Sequence, residues 1–309
     1  MLSRFEGSSS PWRRGPFRIQ SKHVVFGQSY EDIRIELGAF RQKSRVFSIA
    51  GAGYAARTLA AVGHRVTAVD IDPRQLAYSK SRAEGEPSRL GTVERVLALG
   101  RGLVALAGWN RGKLEAFLNL SECTEQTEYW DRWLDTPLWR AAVDALLSPS
   151  LLGFCYAGPF VASLPREFGR QVRRRLRRCW ASHPNRSNPY AAALLLGQPL
   201  TDPDPPVTPI QFVCADAADF LERAPRSSFD AFALSNIGDG APPKYLHRLR
   251  SAIQHAATPD AIVVSRTFAE PVSDTAENCA ALDRSMLWGV VDVRPVSTLG
   301  KGDAPCSIC

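Results

Sequence analysis

The run from Arg45, "RVFSIAGAGYAARTLAAVGHRVTAVDID", is apolar, then glycine-rich, then alanine-rich at helical spacing, then apolar again. That order predicts strand, tight turn, helix and second strand, a βαβ unit. Three later runs are β-branched or apolar and each closes on turn residues: "IQFVCADAADFL" (Ile210 to Leu221), "FDAFALSNIGDG" (Phe229 to Gly240) and "DAIVVSRTF" (Asp260 to Phe268). Strands alternating with helices predict an α/β fold with a parallel, doubly wound sheet. "MLWGVVDVRPV" (Met286 to Val296) is expected to close that sheet as an antiparallel edge.

Between Asp72 and Ile210 the pattern is helical, rich in Leu, Ala, Arg and Trp, and it ends in the stiff "TDPDPPVTP" (Thr201 to Pro209). A segment of that length is no loop, so it reads as a helical insertion after the second strand that returns through a Pro-rich linker. The expected organisation is an arm over 1–25, a Rossmann-like domain over 26–72 and 210–300, a helical insertion over 73–209 that binds the acceptor or acts as a lid, and a tail over 301–309. Ahead of the first strand, "FGQSYEDIRIELGAF" (Phe26 to Phe40) has the capping-box spacing Ser29-x-x-Asp32, followed by apolar Ile33, Ile35, Leu37 and Phe40. A short helix starting at Ser29 is expected.

With 309 residues, 45% of them hydrophobic, the chain can bury a core as one elaborated domain or two intimate ones. Apolar runs such as "AAALLLG" (Ala191 to Gly197) fall well short of the roughly 20 residues of a membrane-spanning helix. The N-terminus lacks an apolar signal region, which predicts a flexible arm and a cytoplasmic protein. The seven cysteines have no framework spacing, as reduced thiols would, and the final "CSIC" reads as a frayed tail rather than a zinc site.

The formal charge of +7 points to an acidic substrate, a nucleic acid or an anionic membrane surface without choosing among them. Eight arginines fall within Pro165 to Arg186, where Phe168, Val172, Leu176 and Trp180 recur every four residues. Such a helix is expected to dock its apolar stripe on its own domain. Contact with anionic lipid headgroups at a membrane surface, or capture of a carboxylate, are the sharper alternatives, and nucleic acid ranks last. Trp130, Trp133, Trp139 and Tyr190 either fill the core of the insertion or line an aromatic pocket.

Candidate chemistry gathers at the strand ends. Gly51-x-Gly53 follows the first strand, where missing Cβ atoms would let backbone N–H groups approach a ligand near a helix N-terminus. Asp70 ends the second strand, where a carboxylate can accept both hydroxyls of a ribose, and Asp216 ends the third, within reach of an adenine amino group. The third glycine of a dinucleotide fingerprint is missing, since Ala56 stands there, so a smaller nucleoside bearing a carboxylate fits better than a pyrophosphate. In the loop Ser235 to Gly240, Asn236 and Asp239 offer an amide and a carboxylate that would orient or deprotonate an acceptor hydroxyl.

The conjunction of the turn, Asp70 and Asp216 resembles the class I S-adenosylmethionine-dependent transferase fold. More narrowly, "GQSYEDIRIELGAF", "VFSIAGAGYAARTL", "AVDIDPRQLAYSKSR", "SNPYAAALLLGQ", "FDAFALSNIGDGAP", "VVSRTFAEP" and "DRSMLWG" resemble the S-adenosylmethionine 3-amino-3-carboxypropyl transferases related to the diacylglycerol enzyme of betaine-lipid synthesis. They run in that family's order over about residues 26 to 290. Tyr30 stands where the lipid-modifying members commonly have Trp, and those members are longer; the compact chain leans toward the isonocardicin synthase-like branch.

The resemblance implies transfer of the 3-amino-3-carboxypropyl group to a hydroxyl, favouring a phenol of a small antibiotic-type natural product, with release of methylthioadenosine and without a metal. It implies Gly51, Gly53, Asp70, Asp216, Glu31 and Arg266 as holders of S-adenosylmethionine. Glu31 would meet the methionine ammonium and Arg266 its carboxylate, unless Arg266 pairs with Glu270 or Asp283. Tyr30, Asn236 and Asp239 would serve the acceptor. Transfer to diacylglycerol, ordinary methyl transfer and a non-catalytic basic module for lipid or nucleic acid are the alternatives.

Overall fold

The computed structural model describes residues 24–106, 108–271 and 279–300; the expected arm, except for its last two residues, and the whole tail with its cysteine pair lie outside them. Six strands form one sheet in the order β3-β2-β1-β4-β5-β6. They are β1 (Arg45–Ile49), β2 (Arg65–Asp70), β3 (Gln211–Cys214), β4 (Phe229–Ala233), β5 (Ala257–Thr267) and β6 (Val290–Pro295). The first five are parallel and β6 runs antiparallel to β5, with Val264 opposite Val293. The sheet is Rossmann-like, and its central strands read as continuous apolar runs because both faces are covered.

Helices α1 (Arg34–Ala39), α2 (Tyr54–Ala61) and α3 (Pro73–Ala83) belong to the first half, and α12 (Ala217–Arg223) and α13 (Pro243–Ala256) to the second. Val46, Leu59, Ala68 and Leu76 fill one face of the sheet, and Phe47, Phe232, Leu249 and Ile253 fill the other. Asp72 starts α3: its carboxylate accepts the Arg74 N–H at 2.9 Å and Pro73 presets the first turn. Because α3 packs on β2 and β3 as a crossover helix, the part of 73–209 that departs from the sheet begins after it.

That part holds α4 (Thr92–Leu106), α5 (Arg111–Leu118), α6 (Cys123–Tyr129), α7 (Pro137–Leu146), α8 (Pro149–Cys155), α9 (Gly158–Ser163), α10 (Phe168–Ser182) and α11 (Pro189–Leu196). Thr136-Pro137, Ser148-Pro149 and Asn188-Pro189 start three of them with a capping side chain and a proline in the first turn. Their core is aromatic. Trp109 stacks on Trp139 at 5.0 Å, Trp130 meets Trp139 edge-on at 5.0 Å, and Phe117 meets Trp180 edge-on at 5.1 Å. Trp130 and Trp139 therefore pack on each other in the buried core, while Trp133 is exposed beneath the Arg132 guanidinium.

In α10 the stripe expected from the sequence is buried at Val172, Leu176 and Trp180. Its basic flank is engaged within the protein: Arg173 pairs with Asp144, Arg177 with Asp131 and Arg170 with Glu167. Buried Arg175 donates to the Leu287 and Phe268 carbonyls at 2.8 Å and pairs with Glu270, clamping the helix to the segment after β5. No described helix is long and apolar enough to cross a membrane.

Two local expectations change. The helix of 26–40 starts at Arg34 rather than Ser29: Ser29 Oγ accepts the Glu31 N–H at 3.3 Å, and Asp32 is drawn to Arg284. The capping box gives way because both side chains hold an irregular segment instead. Gly53 caps α2 at φ +80°, and a Cβ there would lie 2.6 Å from Ser79 Oγ on α3. Its missing side chain thus serves helix packing rather than ligand approach. Gly53→Ala is expected to lower stability by about 2 kcal/mol or more through backbone strain and that clash, read as a drop in the denaturant midpoint.

Candidate functional site

Chain order reverses at β1, which has β2 on one side and β4 on the other. In open α/β sheets the carboxyl ends at such a switch point frame the ligand crevice. Here they carry the glycine turn after β1, Asp70 at the end of β2 and the Ser235–Gly240 loop after β4.

Asp70 holds the turn. Its Oδ2 accepts the Gly51 N–H at 3.2 Å and its Oδ1 accepts the Asp72 N–H at 2.9 Å. A carboxylate has about four lone-pair positions, so roughly two remain for a ligand. Burial pushes its carboxyl up to about 7, the backbone donors opposing only part of that rise. Gly51 has φ +49°, and a Cβ there would meet nothing within 4 Å: the turn opens on free space.

Asp216 is engaged differently. It caps α12 by accepting the Ala218 and Asp219 N–H groups at 2.9 and 3.1 Å, and its other oxygen accepts the Tyr245 hydroxyl at 2.9 Å. It also lines a groove of about 690 Å³ with Arg65, Thr67, Gln211 and Phe220, and neither Gly51 nor Asp70 borders that groove.

Across the switch point, Ser235 sits at φ +55°, a strained conformation for a residue with a side chain, and its hydroxyl donates to Glu31. Asp239 accepts from the Thr267 hydroxyl, the Phe268 N–H at 3.1 Å and the Asn236 amide at 3.3 Å. Burial nevertheless holds its carboxyl above the ordinary range. Asn236 and Asp239 are thus brought together.

Arg266 is fully buried. It binds both oxygens of Glu36, reaches Asp283 at 3.1 Å and the Asp32 carbonyl at 3.2 Å, and stands 3.6 Å from Glu31. Its fork is filled by protein carboxylates, with Asp283 as one partner, while Glu270 goes to Arg175. Burial raises Glu31, and the Arg266 charge opposes that rise.

Compared with family models, curated proteins and solved structures, the chain gives no match.

Residues 24–31 form an irregular strap, with bends at Val25, Gly27, Gln28 and Glu31, across the glycine turn, and the residues that place it escape a reading of the sequence. Gln75 accepts the Val25 and Phe26 N–H groups and donates to the Phe26 carbonyl at 2.9 Å and the Gly51 carbonyl at 2.8 Å, tying strap to turn. Tyr78 donates to the Gly27 carbonyl at 2.7 Å. Buried Glu94 accepts from Gly27, Gln28 and Gly91 N–H groups and from the Tyr30 hydroxyl at 3.1 Å. Tyr30 therefore points at α4, away from Glu31, and burial with the Glu94 charge pushes its phenol well up. Gln75 and Tyr78, polar and aromatic on one side of α3 just after Asp70, carried a readable signal. Glu94 carried none, because its partners in the strap lie more than 60 residues away in sequence.

Tyr190 donates to the Glu31 carbonyl at 2.6 Å and Trp288 to the Tyr30 carbonyl at 3.1 Å, so the insertion and the last loop also grip the strap. Glu94→Ala is expected to leave several buried donors unpaired and to cut the local opening free energy of Gly27 and Gln28 by about 2–4 kcal/mol. Amide hydrogen exchange at those residues would read it.

Proposed function

We propose that this chain is a class I S-adenosylmethionine-dependent transferase that moves the 3-amino-3-carboxypropyl group to a hydroxyl acceptor. The observation that carries the reading is the half-buried Asp70 carboxylate, held beside a glycine turn that opens on free space at the switch point. Two spare acceptor positions there match the two hydroxyls of a ribose. Glu31 lies toward β4, where its carboxylate would face the ammonium of the methionine portion. Four carboxylates, those of Glu31, Asp32, Glu36 and Asp283, meet three guanidiniums, those of Arg34, Arg266 and Arg284, so one added cation balances the cluster.

When bound, the sulfonium supplies an electrophilic γ-carbon: the acceptor oxygen bonds to it, the carbon–sulfur bond breaks, and sulfur keeps the pair as neutral methylthioadenosine. The acceptor proton needs a base. Asp239, raised by burial and steadied by Asn236 and Thr267, is the carboxylate of the β4 loop suited to take it. A phenol, with a pKa near 10, needs less help than an aliphatic alcohol. The acceptor we favour is therefore a phenol of a small natural product.

Incubation with S-adenosylmethionine and a panel of phenols is expected to release methylthioadenosine on a chromatogram; S-adenosylhomocysteine alone would make it a methyltransferase. Glu31→Gln should lower turnover by about 100-fold through the lost charge-assisted contact. Ser29→Ala, removing one bond at 3.3 Å, should change activity little.

A further inference from the structure

From Ala145 to Pro165 the chain carries no charged residue for 21 positions. That length would span a bilayer as one helix. Pro149 and the pair Gly158-Pro159 instead break it into α8 and α9, which pack on each other as a hairpin.

The two sides of the hairpin differ. On the inner side Phe160 is buried, stacked on Tyr156 at 4.8 Å and edge-on to Phe268 at 6.2 Å. Its backbone occupies the space a Cβ on Gly240 would need, so α9 closes against the β4 loop. On the outer side Phe154 is 73% exposed and Leu151 45%. Neighbouring α7 begins with Leu138, 61% exposed, and α4, against which α7 packs, exposes Val96, Leu99 and Leu103 on one face. Large apolar groups exposed on neighbouring helices mark a contact surface.

Charge selects the partner. Helices α4, α8 and α9 contain one acidic residue, Glu94, and it is buried under the strap. Asp144 of α7 is paired with Arg173. Beside Trp133, Asp131 is paired with Arg177 and Asp135 with Arg140. The exposed charges left over are cationic: Arg95 on α4, and Arg132 over the half-exposed ring of Trp133 just ahead of α7. Apolar side chains rimmed by arginine and tryptophan suit the boundary between headgroups and acyl chains.

We propose that the outer face of α8, α7 and α4 docks this protein on an anionic bilayer surface, with Leu151 and Phe154 entering the lipid. This surface is separate from the basic flank of α10, whose arginines are taken up within the protein. The docking stands apart from the transfer reading, and binding of S-adenosylmethionine is measured on the same samples so that the two fail independently.

The full chain is to be sedimented with sucrose-loaded vesicles of phosphatidylcholine alone and of phosphatidylcholine with phosphatidylglycerol. It should pellet with the mixed vesicles and far less with phosphatidylcholine. L151E/F154E should lower the partition coefficient roughly tenfold or more, while Val207→Glu, an exposed site elsewhere, should leave it unchanged. If circular dichroism finds the double variant unfolded, Phe154→Ser replaces it, with a smaller loss expected. No pelleting with mixed vesicles, or equal pelleting by the variant, overturns the proposal. So does a vesicle-free dimer that L151E/F154E converts to monomer, since the face would then belong to a second copy.

Discussion

Asp70→Asn is expected to weaken S-adenosylmethionine binding by roughly 100-fold, the worth of two hydrogen bonds to a charged acceptor, and to raise the stability of the empty protein at pH 8. The two effects have opposite signs for one reason. The folded protein holds this carboxyl at about 7, far above its value in an unfolded chain, so ionisation is resisted. Protonated Asp70 favours the folded state most fully below pH ~4, the unfolded value, and that advantage is lost as pH rises through about 7. The amide variant never pays it, so its thermal midpoint should exceed that of the wild type at pH 8 and converge with it in acid. Under the proposed function, by contrast, the ionised form is the one that would accept from ribose hydroxyls. Wild-type affinity should therefore fall about tenfold per unit as pH drops below about 7, and the affinity of Asp70→Asn should stay flat across that range. Calorimetric titration at several pH values reads both. Equal affinity of the two proteins at pH 8 would remove Asp70 from the ligand site.

Arg266→Met is expected to be the most destabilising single change. It removes the cation between Glu36, Asp283 and Glu31 and leaves their carboxylates buried. Breaking a buried pair from one side costs about 3–5 kcal/mol, a large part of a typical domain's margin. Arg266→Lys should recover little of this, because one ammonium cannot replace a planar fork that meets Glu36 with two nitrogens and Asp283 with a third. The combined R266M/E36L/D283N change should fold better than Arg266→Met alone, and denaturant unfolding followed by circular dichroism measures all three. A loss under 1 kcal/mol for Arg266→Met would show that the cluster adjusts, and would return Arg266 to the ligand's carboxylate.

The sequence made legible what is local. Apolar runs ending in turn residues mark β1 to β6, Asp72-Pro73 marks the start of α3, and four-residue spacing marks the buried stripe of α10, because each depends on residues close together in the chain. The antiparallel edge was readable too, as the last apolar run of the chain, Met286 to Val296. What the sequence hid depends on distant partners. Ser29-x-x-Asp32 looks like a helix start until Arg284, 252 positions away, takes Asp32. Arg266 looks like a free cation at a strand end until Glu36 arrives from α1. Gly53 looks like an opening for a ligand until Ser79 fills it. In each case a residue read from its neighbours in the chain takes its duty from a partner far along it.

The strap over the glycine turn has a consequence for the order in which the molecule assembles. Its partners come from the early helices through Gln75 and Glu94, from the insertion through Tyr190 and from near the end of the described chain through Trp288. Closing loops of that size precedes any gain from the contacts they enable. A segment that precedes every strand of the sheet in the chain is thus among the last to settle, and a nascent chain that already has β1, β2 and their glycine turn still lacks the wall that Glu31 belongs to. The candidate site should be completed late and all at once, when β6 joins the sheet.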